Sequence, residues 1–198
     1  MTQSGVAGDE AGKAVADRFI VDGRASRFTL RAFATGILAA MGHNPVISIR
    51  EFSGELKFDP DQLKADAFRL VIISKSLTAD EDISDKDRRE MERLMHQEVL
   101  ESAKFPEIAY DASAIPVTKI GDTLFSAALD GNLALHGVTR IEPIVARVAL
   151  MGSMLRASGE FSLSQAKYEI KPVSVAGGAL KLKDELKLQF EIVARKQE

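Results

Sequence analysis

The sequence predicts a mainly β protein: an antiparallel β-barrel of eight or nine strands with one substantial α-helix. Three observations carry this. Apolar and polar residues alternate over most of the chain after residue 18, which is the pattern of strands with one dry and one wet face. Short Gly- and Asp-containing turns join the later strands, as antiparallel neighbours require. Only one segment carries apolar residues at helical spacing.

The elements follow in order. Residues 1–17 are rich in Gly, Ala and Ser, have no period, and read as a flexible tail. Order is expected from Arg18, giving one domain over residues 18–196. Ser26–Phe33 is a candidate strand, and the apolar Thr35–Met41 a helical turn ending at Gly42. Val46–Phe58 is a long strand with a phase change. Ile47 and Ile49 lie on one parity, and Phe52, Leu56 and Phe58 on the other, so a bulge near Arg50-Glu51 would turn both sets to one face. Asp59-Pro60-Asp61 is a turn. Ala67–Leu77 is apolar on both parities (Phe68, Leu70 and Ile72 against Val71 and Ile73) and reads as a strand covered on both sides.

The helix is expected over Ser84–Glu101. Ser84-Asp85-Lys86-Asp87 resembles a capping box with Asp in place of Glu. Met91, Leu94, Met95 and Val99 form an apolar stripe, and Pro106 bounds the segment. Glu107–Ala114 then leads to a turn at Gly121-Asp122. In Thr123–Leu135, Phe125, Ala127, Leu129, Gly131, Leu133 and Leu135 share one parity, with Ser126, Asp130 and Asn132 opposite. His136-Gly137 is a two-residue hairpin loop. Val138–Leu150 returns to Gly152-Ser153, and Leu155, Ala157, Gly159, Phe161 and Leu163 continue the alternation. Ser164–Gly178 is irregular. Leu186, Leu188, Phe190 and Ile192 form the inward face of the last strand.

Two architectures satisfy this pattern, a sandwich and a closed barrel. Small residues recur on the apolar parity: Ala112 with Ala114, Ala127 with Gly131, and Ala157 with Gly159. A solid core favours bulk at such positions, whereas a small barrel with a small-residue lining can hold one ligand. Eased strand curvature accounts for the same residues equally well. The expected lining is Ile47 and Ile49; Phe68, Leu70 and Ile72; Phe125, Ala127, Leu129, Gly131 and Leu133; Ala157, Gly159 and Phe161; and Leu188 and Phe190.

Other chemistries find little support. There are no cysteines, so disulfides and zinc–thiolate sites are excluded. The net charge is −3, and Arg88-Arg89 sits among acids, so no basic surface for nucleic acid is expected. Asp80-Glu81-Asp82 lies before the helix, where negative charge is favoured. No Gly-x-Ser-x-Gly elbow or phosphate loop occurs. His43, His96 and His136 lack metal-ligand spacing. The simpler reading makes His136 a hairpin residue, His43 a loop cap and His96 a solvated helix residue. No catalytic or metal-binding residue is expected. No apolar run approaches a membrane span, and no basic-then-apolar leader opens the chain. A cytoplasmic protein is expected, or a periplasmic one if a leader has been removed. Edge strands, or Thr35–Met41, would be the surfaces for a homodimer.

Four segments in order resemble the YceI-like polyisoprenoid-binding family. Phe52-Ser53-Gly54 through Phe58-Asp59-Pro60 is similar to its FSG-x-x-x-FDP hairpin. Lys104-Phe105-Pro106-Glu107-Ile108 is similar to its helix-to-strand junction. Leu133-Ala134-Leu135-His136-Gly137-Val138-Thr139-Arg140 is similar to its HGVT turn. Gly177-Gly178 with Lys183–Leu188 is similar to its closing loop and strand. The resemblance covers about residues 18–196. Two features depart from it: the family's Asn-Arg-x-Asp-Phe-Gly segment is here Ser164–Glu169, and Gly42-His43-Asn44-Pro45 belongs only to some members. The resemblance implies a lipocalin-like barrel around an elongated apolar ligand, an isoprenoid chain or a quinone tail, with no further cofactor. An enzyme working on such a ligand through rim histidines, with or without a metal, is the second reading. A filled barrel acting as an interaction domain is the third.

Overall fold

The alternating segments become eight long antiparallel runs whose first and last members meet. The computed structural model describes residues 16–35, 44–79, 84–175 and 180–197. The first run is β1 (Asp17–Val21) continued by β2 (Arg27–Arg31), and the small strand β3 (Ala34–Thr35) follows it. The second run is β4 (Val46–Ile49) with β5 (Phe52–Asp59), and the third is β6 (Lys64–Ile73) with β7 (Leu77–Ala79). The unbroken β8 (Glu107–Lys119), β9 (Leu124–Leu135), β10 (Val138–Met151) and β11 (Met154–Ser164) come next. Two short strands, β12 (Ser174–Val175) and β13 (Leu180–Leu182), precede the final β14 (Glu185–Lys196).

The ladder runs β1-β5-β6-β8-β9-β10-β11-β14, and β14 pairs back onto β1 to close the barrel. β14 pairs with both parts of the first run, Phe19 lying opposite Lys196 and Phe28 opposite Phe190. β12, β13 and β3 form a separate three-stranded sheet.

The first three runs break side by side. The break at Asp22–Ser26 is a turn in which Asp22 Oδ1 accepts the N–H groups of Arg24 and Ala25. The second run breaks at Arg50-Glu51 and the third at Ser74–Ser76. These two breaks bond to each other: Arg50 N–H donates to Ser76 O (3.2 Å), Glu51 N–H to Ser76 Oγ (2.9 Å) and Ile73 N–H to Glu51 O (2.9 Å). Backbone groups released from the ladder are thereby satisfied. The phase change expected at Arg50-Glu51 is present, as a break between two strands rather than a bulge within one. A one-residue offset does occur nearby, between Lys57 and Phe58.

Three expectations need correcting. β6 is not covered on both sides: Leu70 and Ile72 are buried, but Ala67, Arg69 and Ile73 are exposed. β8 runs on to Lys119, and it carries one extra residue against β9 between Asp111 and Val117. Ala114, at φ 50°, lies in this stretch. Ala112 therefore stays buried while Ala114 is exposed, and Ile115 takes the inward position. Thr35 belongs to β3 rather than to a helical turn; residues 36–43, including His43, lie outside the described residues, as do 1–15, 80–83 and 176–179.

The helix α1 (Asp85–Leu94) is capped by Ser84, whose Oγ accepts the Asp87 N–H (3.2 Å), and it widens into a π turn over Met95–Val99. His136 and Gly137 both adopt positive φ (53° and 77°), the two-residue turn that matches strand twist.

Two ladders are incomplete: β7 pairs only with β4, the pairing of the third run with β8 ending at Ile73–Glu107, and β10 leaves β11. β10 and β11 pair from Met151–Met154 to Arg147–Ser158 and then part. Beyond that point β10 pairs only with β9, and β11 only with β14. Pro143 falls in this open stretch of β10, a place where a strand tolerates proline. The turn Ala166–Tyr168 packs against β10 here, and Tyr168 is fully buried.

Candidate functional site

The inward faces of the eight runs do not fill the barrel. They enclose a cavity of about 530 Å³, within the range of about 300–1,000 Å³ usual for small-molecule sites. Its wall is almost wholly apolar. Phe58 and Phe125 meet edge to face near one end (centroids 5.6 Å apart). Near the other, Ala32, Pro45, Val173 and Leu182 join Met91, Leu94 and Met95 of the helical segment. Asp87, Glu90 and Lys181 are the charged residues on the lining, and all three are exposed. The helical stripe thus packs over the cavity.

The expected lining residues Ile47, Ile49, Phe68, Leu70, Ile72, Phe125, Ala127, Leu129, Leu133, Ala157, Phe161, Leu188 and Phe190 all border the cavity. Gly131 and Gly159 do not. A Cβ on Gly131 would run into the Tyr110 ring, and one on Gly159 would stand 2.7 Å from both the Val145 carbonyl oxygen and the Phe190 ring. These glycines leave room for the protein's own aromatic rings and backbone, not for a ligand.

Tyr110 crosses β9 at Gly131. Its hydroxyl lies 3.0 Å from Glu142 O and 3.2 Å from Leu129 O, and it accepts the Gly131 N–H (3.0 Å). Burial pushes this phenol up to about 12. Tyr168 Oη donates to Glu142 Oε2 (3.0 Å), and burial, followed by the Glu142 hydrogen bond, raises the Tyr168 phenol well above its ordinary value. Glu142 is 4% exposed and has Lys167 Nζ at 4.0 Å. A buried carboxylate here joins the turn to the open stretch of β10.

The two described histidines are occupied in separate places. His136 Nε2 lies 2.8 Å from Glu101 Oε2 and its Nδ1 3.3 Å from Tyr168 O, with the ring against Phe105. His96 is not solvated. Its Nε2 faces the Leu77 carbonyl (3.0 Å), which can only accept, so that nitrogen carries the proton; its Nδ1 then accepts from Ser102 Oγ (3.0 Å), which in turn accepts from Ser74 Oγ (2.9 Å). This relay pins the helix terminus to the third run. Among the described residues no three His, Asp or Glu side chains converge as metal ligands.

Sequence reasoning did not single out Glu142, Tyr168 or Gln165. Glu142 had a legible signal: it shares the parity of Ile144, Ala146 and Val148, so a charge stood in the inward register. Tyr168 and Gln165 lie in an irregular segment with no period to read.

A closed antiparallel barrel around a capped apolar cavity defines a lipocalin-like container. The model of the YceI-like domain matches residues 19–194, and the chain belongs to that family. No curated relative matches it. Solved structures with the same fold include a polyisoprenoid-binding domain from Saccharophagus degradans, implicated in plant cell wall breakdown. It is 15% identical, with 92% of this chain and 99% of that one covered and a TM-score of 0.67. BcnA of Burkholderia cenocepacia is 18% identical (87% and 98% covered, TM-score 0.64). The YCEI protein of Campylobacter jejuni is 14% identical (77% and 85% covered, TM-score 0.56). No helix among the described residues is long and apolar enough to cross a membrane.

Proposed function

We propose that this protein binds and carries an elongated apolar molecule, an isoprenoid chain or quinone-tailed lipid, inside the barrel without transforming it. The observation that carries this is the 530 Å³ apolar cavity. Transfer of such a chain from water is favourable by roughly 0.8 kcal/mol per CH₂ before binding losses, and a wall of Leu, Ile and Phe side chains supplies that without a reactive group. The polyisoprenoid-binding description of the Saccharophagus degradans protein supports the same ligand class. A carrier role is favoured over catalysis because the described imidazole nitrogens are engaged in structural contacts rather than aimed into the cavity.

Organic extraction of the purified protein with mass spectrometry, together with titration of a fluorescent prenyl probe, tests the reading. A stoichiometric lipid or saturable probe binding is expected, and Ala127→Phe should reduce it. A protein with no extractable lipid and no probe binding would overturn it.

A further inference from the structure

One buried polar side chain of the lining has an atom without a hydrogen-bond partner among the described residues. Gln165 follows β11 and is only 4% exposed, yet it borders the cavity. Its Nε2 donates to Lys183 O (3.0 Å) and Asp184 O (3.3 Å). Both partners are carbonyls, which can only accept, so the amide has one permitted orientation. Its oxygen must point away from them, and Oε1 receives no hydrogen bond within the described residues. Nor is that oxygen sealed in protein, since Arg88 Nε is the only enclosed and unpaired side-chain polar atom among the described residues. Among the described residues Gln165 Oε1 is therefore neither bonded nor sealed, and its side chain is buried against the cavity lining.

We propose that Gln165 Oε1 is the head-group acceptor of the cavity, and that the ligand is a neutral isoprenoid alcohol, an apolar chain ending in an O–H donor. This rests on the carrier reading above and adds the chemistry of the head. An acceptor in an apolar enclosure selects for a donor, because a ligand without one leaves the oxygen unpaired and dry. A phosphate ester or a quinone presents mainly acceptors to it. The charged residues of the lining point the same way. Lys181 stands as a single cation against Asp87 and Glu90, and Glu90 is already held by Arg93 (2.8 Å). A phosphate head calls for convergent cations or backbone N–H groups, and the described lining offers no such cluster.

The test uses the full chain and three probes of equal length: geranylgeraniol, its methyl ether and geranylgeranyl monophosphate. Each is titrated by competition against a fluorescent prenyl probe. The wild-type protein should bind the alcohol ~10-fold more tightly than the ether, and more tightly than the phosphate. Gln165→Met should bring the alcohol to within about two-fold of the ether, by weakening the alcohol and relieving the ether of the unpaired oxygen. The alcohol-to-ether ratio within each protein controls for any loosening of the turn that Gln165 Nε2 holds, and the wild-type comparison needs no variant. Equal binding of alcohol and ether by the wild type would overturn the inference and leave the carrier reading standing. So would tighter binding of the phosphate. Failure of all three probes to bind would overturn both.

Discussion

The two ends of the barrel are built on different principles. Towards the β5–β6 hairpin, all eight runs are hydrogen-bonded to neighbours on both sides, and Phe58 and Phe125 pack within the ring. Towards the helix, three runs are broken side by side and β10 and β11 part company, and at that parting side chains replace the ladder. A complete ladder gives rigidity without asking much of any single residue. A side-chain closure concentrates the same task in Tyr168 and its partner Glu142. The helical segment and Gln165 sit in the second region, so the end that is less bound by backbone is also the one with polar variety.

The largest effect should come from removing that closure. Tyr168→Ala deletes a fully buried ring and should lower stability by ~3–5 kcal/mol in urea denaturation. Hydrogen exchange should rise first over Val138–Ala146, the stretch of β10 that β11 does not cover. Uniform loss of protection over both ends would show that the barrel unfolds as one unit and that the contrast has no energetic content. Tyr168→Phe keeps the ring but leaves the buried Glu142 without its phenol and should be milder, ~1–3 kcal/mol.

Gly131→Ala probes the other aromatic brace. Its Cβ would meet the Tyr110 ring, and the overpacking should lower stability by roughly 1–3 kcal/mol. Ala127→Leu, on the same strand face but lining open space, should leave the melting temperature nearly unchanged and reduce probe binding. Equal destabilisation by the two substitutions would mean that Ala127 borders packed protein.

The chain has two tyrosines, and both belong to this network, which makes alkaline pH a selective probe. Their folded phenols are raised above the ordinary value of 10, chiefly by burial. The folded state therefore holds protons that the unfolded chain releases, and stability is at its full value below pH 10. It falls as the pH climbs from 10 towards 12 and beyond. Melting temperature followed across that window should drop together with the rise of tyrosinate absorbance. Tyr168→Phe should flatten part of the decline; an unchanged slope would detach Tyr168 from it.

The smallest expected effect lies at Glu169, which ends the Tyr168 turn at φ 58°. Left-handed backbone disfavours a side chain there, so Glu169→Gly should stabilise by ~0.5–1 kcal/mol in thermal denaturation. A loss instead would show that the carboxylate has a task of its own.

Much of this was legible in the residues, for a physical reason. Strand parity is a two-residue period, and β9 displays it over its whole length; every second position from Phe125 to Leu135 is buried. The phase change at Arg50-Glu51 was visible because the apolar set switches parity there. What parity does not encode is occupancy. Gly131 and Gly159 look like vacant positions along a strand, but the rings that cover them come from β8 and β14, and no one-dimensional pattern pairs Gly131 with Tyr110. The parting of β10 and β11 is equally silent, since both strands keep alternating after they separate. The Ser164–Glu169 departure from the family pattern did mark the segment that supplies Gln165 and Tyr168, without revealing what either side chain does.

The parted strands also set how the bore of the vessel can vary. Where strands are laddered, their spacing is fixed at about 4.8 Å, and girth follows from strand number and tilt alone. Between β10 and β11 the ladder stops at Arg147–Ser158, and the Ala166–Tyr168 turn packs against β10 beyond it. Girth at this level is therefore not set by a ladder, and the Tyr168–Glu142 hydrogen bond (3.0 Å) ties the turn to β10 there. A wall free of the ladder at one seam can change its spacing there without adding or removing a strand.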